Sequence, residues 1–181
     1  MLEHPSESGT DVPGTDSGEL GSDGLVVVGL DDSECSKNAL AYAAAVARWR
    51  NWTLQIVQCW QMSYPVIPYS ISFGELERAE GVAAEEVVRK AEESVLGDHP
   101  DICVRRTIVE GTPATVLVEA SSGADLLVVG SRGRGGFASL TLGSVSQSCI
   151  HHAPCPVLVV RPCQPNLSGR PRSSDADREG R

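Results

Sequence analysis

Several things are scarce in this chain of 181 residues, and each scarcity removes a class of explanation. Aromatic residues make up 4% of it, so a core must be built from Val, Leu, Ile and Ala, which the 41% hydrophobic content supplies. Positive charge is in deficit: 15 Lys and Arg stand against 24 Asp and Glu, a formal net charge of -9. Nonspecific binding to nucleic acid or to an anionic membrane surface rests on a surplus of Lys and Arg, so neither is expected. No apolar run approaches the roughly 20 residues of a membrane span. The first residues, MLEHPSESGTDVPGTDSGELGSD, lack the basic and apolar regions of a secretory signal, and a cytoplasmic location is expected. The six cysteines form no CxxC pair and are expected to be reduced. His151 and His152 lie near Cys149 and Cys155, but without the repeated close spacing of a zinc site, so no metal site is assigned to them.

Composition divides the chain in three. Residues 1–23 carry six acidic residues and no Lys or Arg. Such a segment has too little apolar surface to offset its ordering entropy, and disorder is expected there and in residues 163–181. One folded domain is expected over 24–162.

Within that domain short apolar runs alternate with helical patterns. Strands are predicted at Leu25–Leu30, Leu54–Trp60, Ile102–Val109, Leu126–Val129 and Val157–Val160. Helices are predicted at Ser33–Arg50, Ser72–Leu96, Thr112–Ser122 and Ser144–His152, with Asp32 and Ser33 opening the first and Pro113 suited to the first turn of the third. The segment Met62–Ile71 reads as an irregular loop. Buried apolar strands alternating with helices give an α/β fold: a single-domain, doubly wound, five-stranded parallel sheet with helices on both faces. In such a fold a ligand sits beyond the carboxyl ends of the strands where the strand order reverses. The loops after strands one, two and four should meet there, bringing Gly29, Asp31 and Cys59 toward the glycine-rich stretch after Val129.

That stretch, LLVVGSRGRGGFASLTLGS over 126–144, is the most telling part of the sequence. Gly130, Gly133 and Gly143-Ser144 give the spacing G-x2-G-x9-G-S. An apolar strand feeds a bare basic loop and then a helix start, where backbone N–H groups and the helix dipole can hold phosphate. Arg132 and Arg134 add charge, and Ser144 can supply a hydroxyl and cap the helix. No Gly-Lys-Ser/Thr follows, so this is not a Walker A loop, and the first βα turn lacks G-x-G-x-x-G. Asp31, at the end of the first strand, suits a ribose hydroxyl or an adenine edge, and equally a turn or cap. No base, nucleophile or carboxylate pair forms a catalytic set, and the doublets Glu85-Glu86 and Glu92-Glu93 fit a solvated helix face.

VVVGLDDSECSKNAL at 26–40, GTPATVLVEAS at 111–121 and LLVVGSRGRGGFASLTLGSVSQSCIHHAPCPVLVV at 126–160 resemble the universal stress protein family, specifically its ATP-binding branch. The resemblance covers about 24–162 and implies an adenine nucleotide alpha hydrolase-like fold, ATP as ligand with Mg2+ or Mn2+ on its phosphates, and a homodimer paired through the last strand around Val157–Val160. It implies that Asp31 faces the adenosine moiety with Gly29 beside it, that the Cys59 backbone meets the adenine, and that Gly130, Ser131, Arg132, Gly133, Gly143, Ser144 and Val145 surround the ribose and phosphates. Asp32 stands where many members have glycine, and Cys59 where an aliphatic residue is common. The implied role is regulatory ATP binding with at most slow hydrolysis. The alternatives are an ATP-dependent transferase or ligase of the related adenine nucleotide alpha hydrolase group, and an adaptor with an empty loop.

Overall fold

A computed structural model describes residues 24–61, 73–97, 101–133 and 142–162. The expectations for both tails, for Met62–Ile71 and for Arg134 fall on other residues and lie outside this description. The element order is β1 (Leu25–Leu30), α1 (Glu34–Arg50), β2 (Thr53–Trp60), α2 (Phe73–Val95), β3 (Val104–Glu110), α3 (Pro113–Ala120), β4 (Leu126–Gly130), α4 (Ser144–His152) and β5 (Val157–Val160). All strand pairs are parallel and the order across the sheet is β3-β2-β1-β4-β5. The predicted doubly wound α/β sheet is therefore the observed one, and the order reverses between β1 and β4.

Sequence chemistry sets the boundaries. Ser33 caps α1, its Oγ accepting from Ser36 N at 3.2 Å, so the helix starts one residue later than predicted. It ends at Asn51, whose left-handed backbone (φ 54) returns its N–H to the carbonyls of Ala47 and Arg48. β3 starts at Val104 rather than Ile102, because its pairing with β2 begins at Leu54↔Val104. α3 carries Pro113 at its start, where the missing N–H has no cost, and is shorter at both ends than the pattern suggested.

Two cores flank the sheet. Val26, Val28, Leu30, Leu54, Ile56 and Val128 point to one face, under α1 and α2. There α1 presents Ala39, Leu40, Ala43, Ala44 and Ala47, all fully buried, and its small side chains let it lie close to β1 and β4. α2 faces the same core: Val88 and Ala91 are buried, and Val87 and Val95 pack against the cluster. Val27, Val57, Leu127 and Val129 point to the other face, where Leu117 of α3 and Cys149 of α4 close a smaller core. Burying each Leu, Ile or Val side chain contributes roughly 1.5–3 kcal/mol. The glutamates of α2 are more engaged than a plain solvated face: Arg89 pairs with Glu86 and Glu93, and Glu92 with Arg106 of β3 at 2.8 Å.

β1 pairs with β2 over six residues, from Leu25 to Leu30, but with β4 only over Val26–Val28 against Leu126–Val128. Beyond Val28 the two strands have no rung between them. α1 leaves toward one face and α4 toward the other, which leaves a crevice at the carboxyl edge.

Candidate functional site

One wall of the crevice is the turn from β1 into α1. Asp31 Oδ1 accepts from Ser33 Oγ at 2.6 Å and from Ser33 N at 3.1 Å. The Asp31 N–H donates to Ser36 Oγ at 3.3 Å, and Ser36 Oγ donates in turn to Ser33 O at 2.9 Å. Asp32, between them, adopts φ 64, a left-handed conformation that glycine takes without strain and that Asp tolerates. Asp32 is exposed and pairs with Lys37 at 3.2 Å.

The turn after β4 forms the opposite wall. Ser131 is buried, its N–H donating to Val160 O at 2.6 Å, while its carbonyl accepts from Gly143 N at 2.7 Å. The bond from Gly143 brings the chain back beside the end of β4 at the point where α4 starts. Ser146 Oγ donates to Gly130 O at 2.5 Å and holds α4 to the strand end. The two walls touch: Ser33 Oγ lies 3.5 Å from Arg132 O, and a Cβ placed on Gly133 would run into Asp31 Oδ2.

The predicted glycines separate into two kinds. The space beside Gly29 is filled by Leu117, whose Cδ1 would lie 2.9 Å from an added Cβ, and that beside Gly130 by the backbone of Cys35, also at 2.9 Å. These let α3 and α1 pack against the strand ends. Gly133 instead faces Asp31, and an added Cβ on Gly143 would make only ordinary contacts at 3.4 Å.

The start of α4 corrects one expectation. Ser144 does not cap the helix. Gly143 is the N-cap residue, with extended backbone (φ -77, ψ 157), and as glycine it has no side chain with which to cap the helix. Ser144 is already the first helical residue and is exposed, so its hydroxyl is past the position from which a cap reaches back. The first-turn amides at this end carry the positive pole of the helix. Val145 turns inward and packs in the smaller core.

β2 supplies the floor. Thr53 N donates to Gly24 O beside β1, Leu54 N to Cys103 O beside β3, and Gly111 N to Trp60 O. Odd-numbered residues of β2 thus turn their backbone groups toward β1. The Cys59 carbonyl turns the same way, past Leu30, where the pairing with β1 stops at Leu30↔Gln58. Its bond from Gln58 Nε2 is long, 3.4 Å, and Gln58 Oε1 is buried without a partner. Sequence reasoning passed over Gln58, as it did the bonds from Ser33 to Asp31; only the Asp-x-Ser spacing at 31–33 could have signalled the latter. Burial, and secondarily the nearby Cys149 thiol, pushes the Cys59 thiol up to about 11, which keeps it protonated at neutral pH.

Among the described residues no group of three or more His, Cys, Asp or Glu could hold a metal ion. His151 and His152 are exposed in the last turn of α4, at the end remote from Gly143. No helix among the described residues is long and apolar enough to cross a membrane.

A family model for the universal stress protein family matches residues 25–161. The chain belongs to that family. Universal stress protein Rv2005c of Mycobacterium tuberculosis is 37% identical over 139 residues, 75% of this chain and 47% of the relative. Universal stress protein Rv2623 of the same organism is 36% identical over 140 residues, 75% of this chain and 44% of the relative. The chain thus spans about half the length of the curated relatives it matches. Among solved structures, the universal stress protein UspA from Lactobacillus plantarum superposes with a TM-score of 0.65 at 23% identity, over 76% of this chain and 97% of that one. A universal stress protein in complex with cAMP superposes with a TM-score of 0.52 at 27% identity, over 77% of this chain and 98% of that one. The parallel five-stranded sheet with helices on both faces is thus a universal stress protein fold.

Proposed function

We propose that this chain binds ATP in the crevice between β1 and β4 and serves as a nucleotide-dependent regulatory protein. The observation that carries the reading is the start of α4: a helix pole opening on Gly143 with no side-chain cap, across from Asp31. Such a pole suits phosphate, and glycines at 133 and 143 leave the backbone accessible to it. In this reading Gly130, Ser131, Arg132, Gly133, Gly143, Ser144 and Val145 surround the ribose and phosphates. Asp31, with Gly29 beside it, faces the adenosine moiety, and the Cys59 carbonyl meets the amino edge of adenine. Mg2+ or Mn2+ would accompany the phosphates.

Among the described residues the site offers no base or nucleophile: the Cys59 thiol is held protonated and the two helical histidines lie at the other end of α4. The reading therefore includes at most slow hydrolysis rather than a transferase or ligase. It also includes a cytoplasmic homodimer formed through β5, an edge strand paired only with β4 and carrying the exposed Leu158.

Calorimetric titration with ATP and Mg2+ tests the reading. The wild type should bind, and Gly133→Val should weaken binding about thirtyfold, the equivalent of roughly 2 kcal/mol of overpacking against Asp31. No binding by the wild type, or equal binding by both proteins, would overturn it. Tighter binding of cAMP than of ATP would replace ATP with a cyclic nucleotide, the ligand in one related structure. Mass spectrometry of the purified protein for a co-purified nucleotide separates both from an adaptor with an empty loop.

A further inference from the structure

We propose that Ser33 is a positioning residue of the nucleotide site, holding Oδ1 of Asp31 so that Oδ2 faces the second turn. The proposal rests on the ATP reading above and adds a residue to it.

Asp31 follows the carboxyl end of β1, and its side chain, like any, has three staggered χ1 wells to choose among. The Ser33 hydroxyl and N–H both donate to Oδ1, at 2.6 and 3.1 Å. A hydroxyl bond to a carboxylate at that length is charge-assisted and strong. The hydroxyl is itself fixed, because its lone pair accepts the Ser36 N–H at 3.2 Å. Its single proton is thereby committed to Asp31 rather than to Arg132 O, 3.5 Å away across the crevice. Rotating the carboxylate would break both bonds to Oδ1 at once. With Oδ1 held, Oδ2 faces Gly133, the side from which a nucleotide lying between the turns would meet it. Ser33 acts through Asp31 and touches no reacting atom.

A cap and a positioning residue can be told apart. Glycine is an adequate N-cap, costing only a few tenths of a kcal/mol against serine, but it has no hydroxyl. Ser33→Gly should therefore leave thermal unfolding nearly unchanged while weakening binding of ATP with Mg2+ about tenfold, the effect of losing one charge-assisted bond. Ser33→Thr, which keeps the hydroxyl, should bind within about twofold of wild type. The deciding measurement is a double-mutant cycle by calorimetry. In an Asp31→Ala background Ser33→Gly should have no further effect on affinity, because the group it positions is gone. If Ser33→Gly does not fold, Ser33→Ala takes its place in the cycle. A loss of the same factor with and without Asp31, or no loss in either, overturns the positioning role while leaving ATP binding in place. Absence of ATP binding by the wild type overturns both.

Discussion

Two helices, α1 and α4, start at the same edge of the same sheet and border one crevice, yet their first turns are finished in opposite ways. α1 is capped by Ser33, carries Glu34 in its first turn and follows Asp31. Its positive pole is answered from within the chain. α4 starts on Gly143, with neither a side-chain cap nor an acidic residue in its first turn. Its own cap residue has no side chain to answer the pole. The first turn holds a carboxylate, and the second starts on a residue with no side chain, the kind of helix end that the proposed reading gives to phosphate.

Making the second turn resemble the first is the strongest challenge to that contrast. Gly143→Asp would place an acidic cap on α4, and the backbone there (φ -77) admits a side chain in open contact at 3.4 Å. Unfolding stability should hold or rise slightly, since Asp is a better N-cap than Gly. ATP affinity should fall about a hundredfold, because a carboxylate beside the phosphates is worth roughly 2–3 kcal/mol of repulsion near a protein surface. Unchanged affinity in a calorimetric titration would remove α4 from the site.

Next in size is the contact that presses the two turns together. In Gly130→Ala the new methyl would meet the Cys35 backbone in the first turn of α1 at 2.9 Å. A loss of about 1–3 kcal/mol is expected in urea unfolding, the usual cost of overpacking where the neighbour cannot yield. Wild-type stability would mean that α1 shifts freely and that its distance from α4 is not fixed by this contact. The smallest effect concerns Asp32. Asp32→Gly relieves a left-handed residue and loses only an exposed ion pair with Lys37, so a gain of roughly 0.5–1 kcal/mol is expected. A lower melting temperature would show that Lys37 matters more to the first turn than its backbone strain.

Much of this was readable in the residues. Runs such as LVVVGL and LLVVG can only be buried strands in a chain this poor in aromatics, and their alternation with helices selects a parallel sheet. Right-handed crossovers make a doubly wound sheet, in which the loops after strands one, two and four were expected to meet at the switch point, while the order β3-β2-β1-β4-β5 came from the structure. Less readable was what each glycine is for. Gly29 and Gly133 look alike on paper, but Leu117 lies against one and Asp31 against the other, and such long-range neighbours leave no local pattern. Ser144 looked like a cap because serine favours that place, whereas the chain enters the helix one residue earlier, where Gly143 bonds the Ser131 carbonyl. The Ser33–Asp31 clamp was half visible, since the cap could be read and its hold on the carboxylate could not.

The strand order also governs when the crevice can come into being. Among the described residues β1 is the first strand and the central one in the sheet; its neighbours are β2, close behind it, and β4, about a hundred residues later. During synthesis β1 can pair with β2 early, but its other edge stays bare until Leu126–Gly130 have emerged. Closing so distant a contact is the slow, entropically costly part of building a parallel sheet. The two turns that form the crevice are joined by that same late event. A nucleotide that binds across them rewards only chains that have completed it, so binding would also report that folding has finished.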